Sequence, residues 1–168
     1  LRVVAVDVQP FTVLRALRYE PSGVESPCSM SNGVVAYVDI GAGTTDIVIA
    51  EGEILRFTRI VPVGGYSFTR AIADGLGVGF EEAEQIKIDE ARVYQDQSQL
   101  NALDARSRAI AEAVLDIARE IGTEVRRSLD YHDLQLQGRR DDAAVSRVVL
   151  AGGGSVLDGL DQYLQGEL

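Results

Sequence analysis

The chain has 168 residues, is 46% apolar and carries a formal charge of −10. That apolar content can bury the core of one or two compact units, while the acidic balance argues against nucleic acid or an anionic membrane surface as a broad partner. A single cysteine, Cys28, excludes an internal disulfide framework and fits a reducing compartment, and no stretch approaches the roughly 20 apolar residues needed to cross a bilayer.

In chain order, Arg2 to Val8 reads as a strand and Phe11 to Arg18 as a short helix after Pro10, with Phe11, Leu14 and Leu17 on one face. There is no initiator methionine or basic signal peptide, and the opening inside an apolar strand reads as a piece of a longer protein. Glu20 to Gly33, rich in Pro, Ser, Gly and Asn, reads as a linker and the best boundary in the chain. Val34 to Ile40, Thr45 to Ala50 and Glu53 to Val61 then form three β-branched runs joined too tightly for helical crossovers. The expectation is an antiparallel meander.

The first turn of that meander, Asp39-Ile40-Gly41-Ala42-Gly43-Thr44-Thr45-Asp46, is where the chemistry begins. Glycines at 41 and 43 let backbone N–H groups turn outward together, a nest suited to phosphate oxygens. Thr44 and Thr45 add hydroxyl donors. Asp39 ends an otherwise apolar strand, where a carboxylate is costly without a cation or donor; magnesium riding on phosphates would serve. Ordinary turn chemistry uses the same residues. The dinucleotide fingerprint is excluded, since Asp46 stands where a glycine is required, and so is a Walker loop, since no Gly-Lys precedes Ser or Thr.

Pro62-Val63-Gly64-Gly65 follows, either as a strand-to-helix turn or as a place of close backbone approach to a ligand. Helices are expected from about Ser67 to Leu76 and from Phe80 through Lys87, the latter with an acidic first turn that suits the helix dipole. Glu84 and Lys87 share a face at i, i+3, as a surface ion pair would. Yet Lys87 is the one lysine among 16 basic residues, and a flexible ammonium suits a ribose hydroxyl or an adenine edge. Residues 92 to 102 are polar and poorly patterned. A long helix is expected from about Leu103 to Leu129, its stripe formed by Ile110, Val114, Ile117, Ile121, Val125 and Leu129. Within it Gly122 marks close packing, and His132 beyond it reads as a surface residue. After a charged turn at Gly138 to Asp142 come a strand, Val145 to Leu150, and Gly152-Gly153-Gly154 leading to a last helix, Val156 to Leu164. Ser155 and Asp158 have the spacing of a capping box. A glycine turn at a helix start is a natural anion seat, though a plain strand-to-helix turn fits equally well.

The ordered set resembles the actin-like ATPase superfamily. Asp39 to Asp46 is similar to its second phosphate loop, and Val149-Leu150-Ala151-Gly152-Gly153-Gly154-Ser155 to its adenosine motif. The runs Arg59 to Gly65, Phe68 to Ala73 and Ala83-Glu84-Gln85-Ile86-Lys87 most resemble the PilM-like proteins of type IV pilus assembly, with FtsA-like division proteins the close second. The resemblance implies an α/β fold: the second lobe of an actin-like (ribonuclease H-like) ATPase, with a five-stranded mixed sheet, helices and an inserted helical subdomain. Residues 1–32 would be the tail of a first lobe and 33–168 the second lobe, with a sheet core at 33–65 and 143–168 and the helical insertion at 66–142.

It further implies ATP and Mg2+ as ligands. Asp39 would hold magnesium through water; Gly41, Ala42, Gly43, Thr44 and Thr45 would contact phosphates. Gly64, Gly65, Glu84, Lys87, Gly152, Gly153, Gly154 and Ser155 would border the nucleoside. The superfamily's first phosphate loop is not in this sequence, so the chain supplies half a cleft, with no catalytic residue and at most slow hydrolysis in a longer parent. The implied setting is cytoplasmic, peripheral to the inner membrane through a PilN-like tail bound mostly by the first lobe. Self-association is possible in such a family, without nucleic acid and without a membrane span.

Overall fold

The computed structural model describes residues 11–12, 33–52, 54–135 and 144–168. Phe11 and Thr12 are helical; the expected first strand, the rest of that helix, nearly all of the linker with Cys28, and the turn at Gly138 to Asp142 lie outside the described residues.

Three strands, β1 (Val34–Ile40), β2 (Thr45–Glu51) and β3 (Ile54–Val61), form the expected antiparallel meander. β4 (Val145–Ala151) returns on the far side of β1 and runs parallel to it, giving the order β3-β2-β1-β4. The sheet is mixed, as expected, but it has four strands among the described residues, not five. The apolar residues between β3 and β4 recur at three- and four-residue spacing, so the described part of that stretch folds into helices rather than a fifth strand. β1 and β2 are buried almost end to end, which is why they read as continuous apolar runs. β3, at the edge, alternates between exposed and half-buried residues from Ile54 to Thr58 and ends on buried Val61.

Among the described residues, four helices follow β3 before the chain returns as β4. They are α1 (Gly65–Leu76), α2 (Phe80–Asp89), the short α3 (Gln97–Asn101) and the long α4 (Ala105–Gln135). The polar stretch expected to be irregular contains α3 because Asp96 caps it, accepting from Ser98 N–H at 2.9 Å. Of the expected α4 stripe, Ile110, Val114, Ile121 and Val125 are buried, and Ile117 and Leu129 pack half-buried against them. Phe68 and Ile72 of α1 meet this stripe, and Val38, Ile40 and Ile47 of the sheet join the same core. Burial of each such side chain contributes roughly 1.5–3 kcal/mol.

Two expectations fail at the ends of helices. α4 runs six residues beyond Leu129, and His132 is 4% exposed rather than on the surface. Val114, Ala118, Ile121, Val125, Ser128 and His132 recur at alternating spacings of four and three, so the extra turns carry the imidazole onto the buried face. Its Nδ1 lies 3.4 Å from Asp133 Oδ1.

The last helix does not begin at Val156. Gly153–Val156 form one 3-10 turn, and α5 spans Leu160–Glu167. The break has a local cause. Val93 N–H donates to the Asp158 carbonyl at 2.8 Å, and a Cβ on Gly159 would stand 2.2 Å from the Val93 carbonyl oxygen. The segment after α2 thus docks where helix was expected. Ser155 and Asp158 form no capping box: Ser155 Oγ donates to the Gly152 carbonyl at 2.7 Å, and Asp158 pairs with Arg92 at 3.4 Å.

Candidate nucleotide site

The β1–β2 tip is fixed from behind by the start of α1. Gly65 N–H donates to the Gly41 carbonyl at 2.9 Å and Tyr66 N–H to the Ala42 carbonyl at 2.7 Å. Two of the four free amides at a helix start are thereby satisfied by the tip. Gly64 makes the approach possible, since a Cβ there would meet Gly41 O at 2.7 Å, Ala42 O at 2.9 Å and Thr44 N at 2.9 Å. Gly64 thus lies in close backbone contact with the tip.

With its carbonyls turned inward, the tip presents its other side to solvent. Ala42, Gly43 and Thr44 are exposed, and among the described residues their N–H groups find no backbone acceptor. Such amides are open to an anion, but the Gly41 N–H expected among them is not, because it donates to the Thr44 carbonyl at 2.8 Å. Thr45 is different: it is buried, and its hydroxyl donates to the Val63 carbonyl at 2.7 Å, so it braces the tip against the end of β3. Asp39, half-buried, stands in register with buried Asp46 across the hairpin. Cross-strand partners share a face, so two carboxylates lie side by side at this end of the sheet.

The glycine turn after β4 packs directly on the end of β1. Gly152 has φ 82°, and a Cβ on it would stand 2.3 Å from Asp39 Oδ1; one on Gly154 would stand 2.4 Å from Ile40 Cγ2. No side chain fits at either position.

On α2, Glu84 and Lys87 form more than a surface pair. Lys87 Nζ lies 2.9 and 2.7 Å from the two Glu84 carboxylate oxygens, 2.9 Å from Thr69 Oγ1 and 3.2 Å from the Gly65 carbonyl. Its side chain is 15% exposed. Desolvation pushes the Glu84 carboxyl up, but hydrogen bonds from Lys87 and Thr69, with the Lys87 charge, outweigh it and hold the group below its ordinary value.

These elements enclose one cavity of about 440 Å³. Its walls include Gly41 and Ala42 of the tip, Gly65 of α1, Glu84 and Lys87 of α2, and Gly153 and Gly154 of the glycine turn. The structure thus brings together residues of the hairpin tip, the Glu84–Lys87 pair and the glycine turn. Asp39, Gly43, Thr44, Thr45, Gly64, Gly152 and Ser155 do not line it; of these, Asp39, Thr45, Gly64 and Gly152 pack behind or beside the walls.

The cavity also has apolar walls that the sequence did not single out. Tyr66, Ile88, Val156 and Leu157 line it, with Ile88 and Val156 largely exposed at 67% and 83%. An isolated aliphatic residue on a helix or in a turn carries no signal that distinguishes it from ordinary surface. Thr69 had a weak signal, lying one helical turn after Gly65, where a hydroxyl can reach the i−4 carbonyl.

Carboxylate oxygens suit a hard divalent cation, and Asp39 and Asp46 supply two in register. Among the described residues no cluster of three or more metal-ligating side chains occurs. A magnesium ion here would therefore keep water and phosphate oxygens in much of its shell, which fits a single contact through Asp39.

A family model described as cell division protein FtsA matches residues 36–168. The chain is 39% identical to FtsA of Bacillus subtilis (strain 168) over 64 residues, 38% of this chain and 14% of that one. It is 27% identical to FtsA of Neisseria meningitidis over 138 residues, 78% of this chain and 33% of that one. Among solved structures, the PilM–PilN type IV pilus biogenesis complex aligns with TM-score 0.69 and 27% identity over 98% of this chain and 40% of that one. The chain therefore spans a third or less of the length of these two curated relatives. The tip, the helices that brace it and the glycine turn all lie within the matched residues. The chain belongs to the FtsA family, within the actin-like ATPases.

Proposed function

We propose that the chain is the nucleotide-binding lobe of an actin-like assembly protein, taking ATP with magnesium. One observation carries this reading: the amide-bearing tip, the Glu84–Lys87 pair and the Gly153-Gly154 turn face the same cavity of about 440 Å³. In this assignment the Ala42, Gly43 and Thr44 amides receive phosphate oxygens. The ribose and base lie toward Glu84, Lys87 and Gly154, with Ile88 and Val156 against the base. Asp39 orients a water of the magnesium shell, and the metal would supply charge neutralisation of the phosphates.

The net charge of −10 does not oppose this. The site attracts anions through backbone amides, and the paired charges Glu84–Lys87 and Asp158–Arg92 nearly cancel at its margin. Phosphoryl transfer needs charge stabilisation on both sides of the phosphate, and these residues form one side. We accordingly assign the chain nucleotide binding, with residues 66–142 as a helical insertion into a sheet core of 33–65 and 143–168.

Nucleotide would act by biasing the conformation of a longer parent, and so its partner surface. The similarity to the PilM–PilN complex favours a pilus role at the inner membrane, with a PilN-like cytoplasmic tail as partner. The FtsA family model favours the second reading, a role in cell division. Among the described residues no helix is long and apolar enough to cross a membrane, so in either system contact with the membrane would run through partners or other segments.

Calorimetric titration of Mg-ATP into the chain tests the assignment. Saturable binding with one nucleotide per chain is expected. Absence of binding by the chain and by its longer parent would sink it.

A further inference from the structure

Thr69 lies one turn into α1 and is completely buried, at 0% exposure. Its hydroxyl oxygen accepts from Lys87 Nζ at 2.9 Å, and its proton has two acceptors within reach, the Gly65 carbonyl at 3.1 Å and the Glu84 carboxylate. A threonine hydroxyl carries one proton, so the two acceptors share it. Lys87 also reaches the Gly65 carbonyl, at 3.2 Å. Thr69, Gly65, Glu84 and Lys87 therefore form a closed polar network between α1 and α2.

Gly65 connects this network to the tip. Its carbonyl takes hydrogen bonds from Thr69 and Lys87, while its N–H donates to the Gly41 carbonyl at 2.9 Å. The residue is clamped on both sides. A threonine that bonds its i−4 carbonyl is common in helices, but that habit gives no reason for a second helix to deliver an ammonium and a carboxylate to the same hydroxyl.

We infer that Thr69 is a positioning residue for the anion-binding tip: it latches α2 to the first turn of α1, and through Gly65 it holds the tip so that the Ala42, Gly43 and Thr44 amides stay available. The inference rests on the cavity being a nucleotide site. Thr69 itself does not line the cavity, so its effect on a ligand is indirect.

The test compares Thr69→Val, which keeps the shape and removes the hydroxyl, with Thr69→Ser, which keeps the hydroxyl. Mg-ATP affinity is measured by calorimetry well below the melting temperature, together with amide exchange in nucleotide-free protein. Thr69→Val is expected to weaken Mg-ATP binding at least fivefold and to speed exchange at Gly65 and Tyr66. Thr69→Ser should stay within twofold of wild type in both. Thr69→Val binding as tightly as wild type, or Thr69→Ser as weak as Thr69→Val, overturns the latch. Absence of binding by wild type would instead remove the nucleotide assignment. If Thr69→Val does not fold, Lys87→Met decides: faster apo exchange at Gly65 and Tyr66 supports the latch, and unchanged exchange overturns it, because loss of a direct ligand contact leaves the apo protein unaltered.

Discussion

Gly152 sits against Asp39 so closely that a Cβ would fall 2.3 Å from the carboxylate oxygen and 2.5 Å from the Ile40 carbonyl. The backbone there, at φ 82°, is in the region that favours glycine. Gly152→Ala is therefore expected to lower unfolding free energy by roughly 2–3 kcal/mol, combining left-handed backbone strain with a clash against β1. Urea unfolding would measure it. A loss below about 0.5 kcal/mol would mean that the turn and β1 are not packed in this way.

Asp39→Ala should weaken Mg-ATP binding at least tenfold, because it removes the carboxylate proposed to orient the hydrated metal. Calorimetry with and without magnesium separates the effects. Affinity that is unchanged in magnesium would take Asp39 out of the site.

Gly64→Ala and Gly122→Ala form a contrasting pair. At Gly64 a methyl group would press on three backbone atoms of the tip at 2.7–2.9 Å, so a cost of roughly 1–3 kcal/mol and weaker phosphate binding are expected. Gly122 does lie against α5, but there a methyl would meet Leu164 Cδ2 at 3.5 Å, an ordinary contact. Gly122→Ala should stabilise by roughly 0.5–1 kcal/mol through helix propensity. Thermal unfolding of both variants checks the pair, and equal effects would contradict the packing described.

Glu84 gives a pH dependence with a defined sign. Its carboxyl titrates below its ordinary value in the folded state. The stability it contributes is thus fully present above the unfolded value and is lost as pH falls through the folded one. The stability difference between wild type and Glu84→Gln should hold steady from neutral pH to the ordinary glutamate range and close in more acidic solution. Urea unfolding across that range reads it; a difference independent of pH would rule out the paired carboxylate as its source.

Much of the site was legible because glycine and β-branched residues act locally. The runs Val34 to Ile40 and Thr45 to Ala50 had to be strands, and Gly41 to Gly43 had to turn between them. The i, i+3 spacing put Glu84 and Lys87 on one helix face. What escaped depended on contacts distant in sequence. Val93 docking on Asp158 and Gly159 turned the start of an expected helix into a 3-10 turn. His132 read as a surface residue beyond the stripe because the buried row that leads to it runs through Ala118 and polar Ser128, which give no strong apolar signal. The sheet was expected to have five strands by resemblance, whereas the residues themselves contain four runs of strand pattern from Val34 onward.

The orientation of the tip also decides which substitutions it can tolerate. Because the Gly41 and Ala42 carbonyls are used by α1, the sign of charge this loop prefers is written in its main chain. Side chains at 42 and 44 are exposed and free to vary without reversing that preference. Gly64 does not line the cavity, yet it is the position where drift would be punished: any side chain there pushes the loop from behind, and a recognition surface would be lost through a residue outside the cavity wall.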